Sequence, residues 1–299
     1  MKKLYVGVEI GATKVQIALG GADGNLLFTK RGNVVIADGA QGILRWIKTH
    51  IPEVVLKEAE FGGKTTAIGV GFGGFIESSS GTSLISVQVE GWKDFNIKSW
   101  FEDSFKLPTI VLNDTVAGGW GEYVSGSGKG SKNFFYSNIG SGIGGALIMD
   151  GICYDGIGYG AAYLGHTYIP DWTSEIPGAF CKVENICSGF AIEKRNRIKC
   201  AALAEMARGG DGSALAEIDR VAKSYAIGLA NVITLLGPDR ISIGGGVAKM
   251  GELLLEPMRR NVDELVLVLS KNRYTIVACK HGDAAVLVGS LLFAAKEAG

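Results

Sequence analysis

Two glycine-broken runs, residues 5–19 (YVGVEIGATKVQIAL) and 134–150 (FFYSNIGSGIGGALIMD), carry the types and spacing best suited to chemistry. Each reads as a strand, a tight turn and a second strand, so backbone N–H groups in the turn can cup an anion without side-chain obstruction. Two such hairpins in one chain predict two similar halves and a polyphosphate ligand, which points to a nucleotide-using enzyme. The pair Asn113 and Asp114 is a third feature. It follows the apolar run TIVL at 109–112 and precedes a helical pattern, so it stands at the C-terminal end of a strand, the edge where open α/β sheets bind ligands. Position alone leaves two readings for Asp114: a helix N-cap, or a carboxylate that acts on a ligand.

Three other patterns are weaker. Residues 140–145 satisfy G-x-G-x-x-G, but the dinucleotide fingerprint needs a helix directly after it and an acidic residue about 20 positions on. Here a β-type run, ALIMDG, follows and Asp155 comes too early. GGKTT at 62–66 imitates the end of a P-loop, yet Glu58 stands where the motif needs its first glycine. His166, Cys181 and Cys187 contain no C-x-x-C pair and fit tetrahedral zinc spacing poorly. Taken alone, His166 reads as a hydrogen-bonded packing residue.

The elements that must position these residues follow from periodicity. Strands are expected at 25–35, 66–70, 109–112 and 240–243 in addition to the hairpins. Helices are expected at 40–56, ending near Pro52, and at 97–105, 115–124, 188–208, 219–236 and 284–298, the last packed back on the first domain. Residues 125–131 (SGSGKGS) read as a loop leading into the second hairpin, and no flexible linker is expected. At 299 residues two domains are expected: 1–115 completed by 284–299, and 116–283.

Composition excludes several classes. Thirty basic and thirty acidic residues cancel, and no Lys/Arg-rich run tracks a nucleic-acid backbone. Glycine, at 45 residues, is about twice its average usage; it falls between apolar runs and marks turns and close approaches. Glu9 interrupts the N-terminal apolar run before a signal segment is complete, and no stretch of about 18 uncharged apolar residues is present. Five cysteines make no disulfide framework. The expectation is a cytoplasmic protein with neither nucleic-acid nor membrane partners.

The motifs VEIGATK, GFGGFIESSSG, VQVEGW, LPTIVLND, NIGSGIGG, LGH, ENICSG and ISIGGGVAKMGELLLEP occur here in the order found in the ROK family of sugar kinases. The chain resembles that family over nearly its whole length. The resemblance implies an α/β fold of two actin-like ATPase (ribonuclease H-like) domains flanking a deep cleft, with sugar inside and ATP across the mouth. It implies that Asp114 is the general base, accepting the proton of a sugar hydroxyl that attacks the γ-phosphate of ATP, and that Asn113 holds a neighbouring hydroxyl. Glu9, Gly11, Thr13, Lys14, Ser141 and Gly142 correspond to phosphate loops, and Gly244, Gly245 and Gly246 to the adenosine motif. Gly73, Gly74, Asn113, Asp114, Tyr163, His166 and Glu184 correspond to the sugar site. Mg²⁺ is expected on the ATP phosphates, with Glu9 as a candidate ligand, and the family association implies a homodimer.

Three positions depart from the family pattern. Glu9 replaces an aspartate in the first phosphate loop. Tyr163 stands where the family's Glu-x-Gly-His begins, placing an aromatic ring where a hydroxyl acceptor would be. Of the family's zinc ligands only His166 and Cys181 have counterparts, so no structural zinc is expected and His166 must be held otherwise. The competing expectation is a non-catalytic sugar-binding ROK protein with a regulatory role. ROK repressors carry an N-terminal helix-turn-helix domain, and this sequence opens directly on the first hairpin.

Overall fold

The computed structural model describes residues 1–86 and 89–298. Val87 and Gln88 of the VQVEGW motif lie outside the described residues. The rest of that motif is built in: Val89 and Trp92 are buried, and the Glu90 carbonyl accepts a bond from the Ala40 N–H at 2.9 Å.

The chain divides into two compact units. The first comprises residues 1–129, 153–161 and 283–299, the second 130–152 and 162–282. Each is built on a five-stranded sheet of the same connectivity. In the first unit, strand Lys2–Ile10 pairs antiparallel with Lys14–Gly20 and parallel with Gly63–Phe72. Leu26–Asn33 and Thr109–Asn113 form the edges. The central strand is buried from Leu4 to Ile10 and apolar there except for Glu9, the pattern of a strand covered on both faces. In the second unit Asn133–Ile139 pairs antiparallel with Ile143–Met149 and parallel with Arg240–Gly244, which in turn pairs parallel with Thr275–Ala278. The repeated hairpin read from sequence is therefore the centre of a repeated sheet. Residues 140–145 run from turn into strand, so no dinucleotide-type helix follows them.

The unit boundary falls after Lys129, whereas the sequence reading divided the chain at 115. Helix Asp114–Ser125 belongs with the first unit because it packs on the C-terminal helix Ala285–Glu297 at backbone distance. A Cβ at Gly289 would lie 1.6 Å from the Ala117 carbonyl oxygen, and one at Gly69 would lie 1.9 Å from the Ser290 carbonyl oxygen. Glycine at these positions lets the helix lie directly on the sheet and on its neighbour. At the far end of helix Asp114–Ser125, Oε2 of the fully buried Glu122 accepts bonds from the Ser127 N–H and hydroxyl, each at 2.7 Å. That carboxylate shapes the loop at 125–131.

Three helical expectations need correction. The helix expected over 188–208 is two helices, Gly189–Asn196 and Cys200–Arg208, because Arg197 turns left-handed at φ 58° and ends the first. Helix Gly39–Val55 runs past Pro52. Proline removes one backbone donor there, while Ile47, Ile51 and Val54 remain buried on the packed face. Helix Gly212–Leu236 starts earlier than expected, capped by Asp211, whose Oδ1 accepts from the Ser213 and Ala214 N–H groups at 2.9 Å each. Among the described residues no helix is long and apolar enough to cross a membrane.

Candidate active site

In the first unit the strand end delivers Asn113 and Asp114 as expected, but their roles divide. Asn113 is the N-cap of helix Asp114–Ser125: its Oδ1 accepts from the Thr115 N–H at 2.9 Å and the Val116 N–H at 3.3 Å. Its Nδ2 donates to the Gly74 carbonyl at 3.0 Å, fixing the glycine turn after strand Gly63–Phe72. Asp114 is the first helical residue and not the N-cap, and only one of its oxygens serves the helix start. Its Oδ1 accepts from the Thr115 N–H at 2.7 Å, while Oδ2 lies beside Gly73, 3.4 Å from where a Cβ would stand.

Gly73 also ties the strand end to the first hairpin, its N–H donating to the Ile10 carbonyl at 2.8 Å. A β-carbon at Gly73 would also stand 3.6 Å from Gly11 Cα. The Asp114 carboxylate, Gly73 and the first glycine turn are thus one constellation.

Electrostatics set Asp114 apart. Burial first, then the nearby Glu9 carboxylate, raises its pKa from 3.8 to about 6, against the opposing Thr115 bonds and Lys14 charge. Glu9 is itself buried and occupied. Its Oε2 accepts from Gln16 Nε2 at 2.8 Å, and its Oε1 pairs with the Lys14 ammonium at 2.9 Å. Lys14 reaches further to the Asp283 carbonyl at 3.4 Å. At the turn, the Gly11 N–H donates to the Lys14 carbonyl at 3.0 Å and Thr13 is exposed.

In the second unit the hairpin turn is held by the Gly140 N–H donating to the Gly142 carbonyl at 2.9 Å. The Gly189 N–H donates to the Gly140 carbonyl at 2.8 Å, which joins the turn to the start of helix Gly189–Asn196. Ser141 is exposed. A Cβ on Gly142 would lie 3.5 Å from Glu184 Oε2, and Glu184 Oε1 is 3.5 Å from His166 Nε2. Tyr163 presents its ring edge-on to His166, centroids 6.3 Å apart. His166, Glu184 and Tyr163, which the resemblance assigns to the sugar site, lie together, and Glu184 also stands beside the second glycine turn, which the resemblance assigns to the phosphates.

The three glycines after strand Arg240–Gly244 are not equivalent. A Cβ on Gly244 would strike the Tyr136 hydroxyl at 2.4 Å, and Gly245, at φ 92°, would strike Asn138 Oδ1 and the Ile139 carbonyl at 2.4 Å each. Both are glycine to fit their own sheet. Gly246 is exposed and a Cβ there meets nothing within 4 Å, so only at Gly246 does packing leave the missing side chain unexplained.

The ROK family profile matches residues 5–297. The chain belongs to the ROK family. A glucokinase of Halalkalibacterium halodurans is 29% identical to it over 329 aligned residues, covering 98% of this chain and 96% of that protein. A xylose repressor of Caldicellulosiruptor bescii is 25% identical over 307 residues, covering 96% of this chain and 76% of the repressor. The crystal structure of a ROK family glucokinase from Streptomyces griseus in complex with glucose and AMPPNP matches with a TM-score of 0.82 and 27% identity, covering 98% of this chain and 99% of that one. Each unit of this ROK chain is accordingly an α/β unit of the actin-like ATPase type, as the sequence reading expected.

The family's zinc chemistry does not suit the residues present in this ROK protein. The Lys182 ammonium lies 3.1 Å from His166 Nδ1, where its positive charge opposes a cation. Among the described residues no cluster of three or more His, Cys, Asp or Glu could hold a metal ion.

Sequence reasoning missed three supporting residues of the ROK site. Gln16 holds Glu9; the hairpin register, which pairs Glu9 with Gln16, was the available signal. Thr115 binds Asp114 and is adjacent to it. Lys182 reaches His166 only through the pairing of two short strands that carry no strong pattern.

Proposed function

We propose that this ROK chain is an ATP-dependent kinase of a sugar hydroxyl, with Asp114 as its general base. The observation that carries the reading is the Asp114 carboxylate, raised to about 6, with Oδ1 held by the Thr115 N–H and Oδ2 set beside Gly73 and the first glycine turn. A base near that value is ionised at neutral pH yet basic enough to take a proton as it develops. The sugar hydroxyl oxygen attacks the γ-phosphorus, the bond from that phosphorus to the bridging oxygen breaks, ADP leaves, and the hydroxyl proton passes late to Asp114. Because phosphoryl-transfer transition states are loose, aiming the hydroxyl is the larger part of this work.

Thr13, Lys14 and the backbone of Gly11, Ser141 and Gly142 serve the phosphates, and the exposed backbone at Gly246 serves the nucleoside. Gly74, Asn113, Tyr163, His166 and Glu184 serve the sugar; each buried hydroxyl left unpaired would cost about 1–3 kcal/mol. Glu9 and Asp114 are the carboxylates suited to Mg²⁺, directly or through water, and the ion when bound neutralises phosphate charge. The same reading places the chain in the cytoplasm as a homodimer, a state that light scattering checks.

The test is ADP release from ATP–Mg²⁺ against hexoses, amino sugars, ketoses and polyols. Turnover with one sugar, abolished by Asp114→Asn, supports the kinase. Two observations favour a second reading, a sugar-binding regulator: Glu9 is already committed to Lys14 and Gln16, and a xylose repressor is among the relatives. Sugar-dependent melting shifts without turnover by any sugar would establish that alternative.

A further inference from the structure

Strands Tyr168–Pro170 and Phe180–Lys182 form an antiparallel ribbon in which Tyr168 pairs with Lys182. That register brings Lys182 back onto His166, two residues before the ribbon begins. The Lys182 Nζ to His166 Nδ1 distance is 3.1 Å, and on the other edge of the ring Nε2 lies 3.5 Å from Glu184 Oε1.

A lysine ammonium has three donors and no acceptor. Nδ1 must therefore accept, and the single ring proton of a neutral imidazole sits on Nε2, facing the carboxylate. The reverse tautomer would set a ring lone pair against Glu184 and an N–H against an ammonium, repulsive at both edges. We propose that Lys182 is a positioning residue that fixes His166 as an Nε2–H donor beside the Glu184 acceptor. The side chain that opposes a zinc ion here takes over the holding of His166, fixing one ring nitrogen so that the other is presented in a defined state.

A donor next to an acceptor reads two neighbouring hydroxyls in opposite senses, one accepting from His166 and the other donating to Glu184. This consequence for the sugar rests on the kinase reading, whereas the tautomer is a property of the ligand-free protein.

The chain has three histidines, His50, His166 and His281, so their ¹⁵N signals are separable with one substitution each for assignment. Long-range ¹H–¹⁵N correlation on the full, ligand-free, ¹⁵N-histidine-labelled chain at pH 8 should show His166 protonated at Nε2 in the wild type and in Lys182→Arg. Lys182→Glu, which leaves an acceptor facing each ring nitrogen, should add a proton at Nδ1, so that His166 gives the signals of an imidazolium. A wild-type His166 protonated at Nδ1, or a folded Lys182→Glu protein whose His166 keeps Nδ1 unprotonated, overturns the proposal. In the kinetic arm, run with the best acceptor of the sugar panel, Lys182→Met should raise KM for the sugar roughly tenfold while KM for ATP stays level, with recovery in Lys182→Arg. Equal changes in both KM values would reduce Lys182 to a structural residue and also overturn the proposal. A wild type that turns over no sugar overturns the kinase reading instead, and the tautomer alone then decides Lys182.

Discussion

Glu9 and Lys14 face each other across the first glycine turn at 2.9 Å, and the second Glu9 oxygen is taken by Gln16. The pair acts on Asp114 from both signs: the carboxylate raises its pKa and the ammonium lowers it. The acidity of the proposed base, raised first by burial, is thus tuned further from the hairpin proposed to hold the phosphates.

Rate should follow that arrangement with pH. Because Asp114 must be ionised to accept a proton and titrates near 6, kcat/KM should fall as pH drops through about 6. Glu9→Gln removes a raising influence and should move this acid limb to lower pH, while Lys14→Met should move it higher. A pH–rate profile of each variant checks the signs; limbs that coincide in all three proteins would remove Asp114 from the role.

Replacing the base should cost activity and add stability. Asp114→Asn is expected to lower kcat by about 10²–10⁴. The folded carboxyl titrates near 6 against 3.8 as the model value, so between those values the folded chain holds the extra proton and stability declines as pH rises. At pH 8 the amide escapes that penalty, a gain of up to about 3 kcal/mol. Thermal melting of both proteins at pH 8 should place the variant higher.

The adenosine-motif glycines should separate in experiment. Gly245→Ala meets two oxygens at 2.4 Å from a left-handed backbone, so its melting temperature should fall. Gly246 has helical dihedrals, φ −62° and ψ −37°, and open space around it. Gly246→Ala should melt with the wild type while KM for ATP rises; an unchanged KM would detach Gly246 from the nucleotide.

Gly289→Ala tests the packing of the first unit. With the Ala117 carbonyl 1.6 Å from the new carbon, the C-terminal helix must move off its neighbour. Overpacking of this kind costs about 1–3 kcal/mol or more, which denaturant unfolding would register as a lower midpoint.

Local pattern made much of this protein legible. The glycine hairpins, the strand that ends at Asn113, the amphipathic helix Ile97–Phe105 and the C-terminal helix are written as alternation or helical spacing with turn residues beside them, so sequence alone determined them. The resemblance to the family's ordered motifs assigned Asp114, Gly73, His166 and Glu184 to one sugar site, and the structure sets Asp114 near Gly73 and His166 near Glu184. Tertiary structure decided the rest. Asn113 and Asp114 are equally good caps, and the choice fell to Asn113 because its Nδ2 also reaches the Gly74 carbonyl 39 positions away. The helix following them joined the first unit because small residues let it approach the C-terminal helix, a contact between segments far apart in the chain. Lys182 met His166 through the register of two short strands, which sets partners by pairing across space and leaves no local mark at either residue.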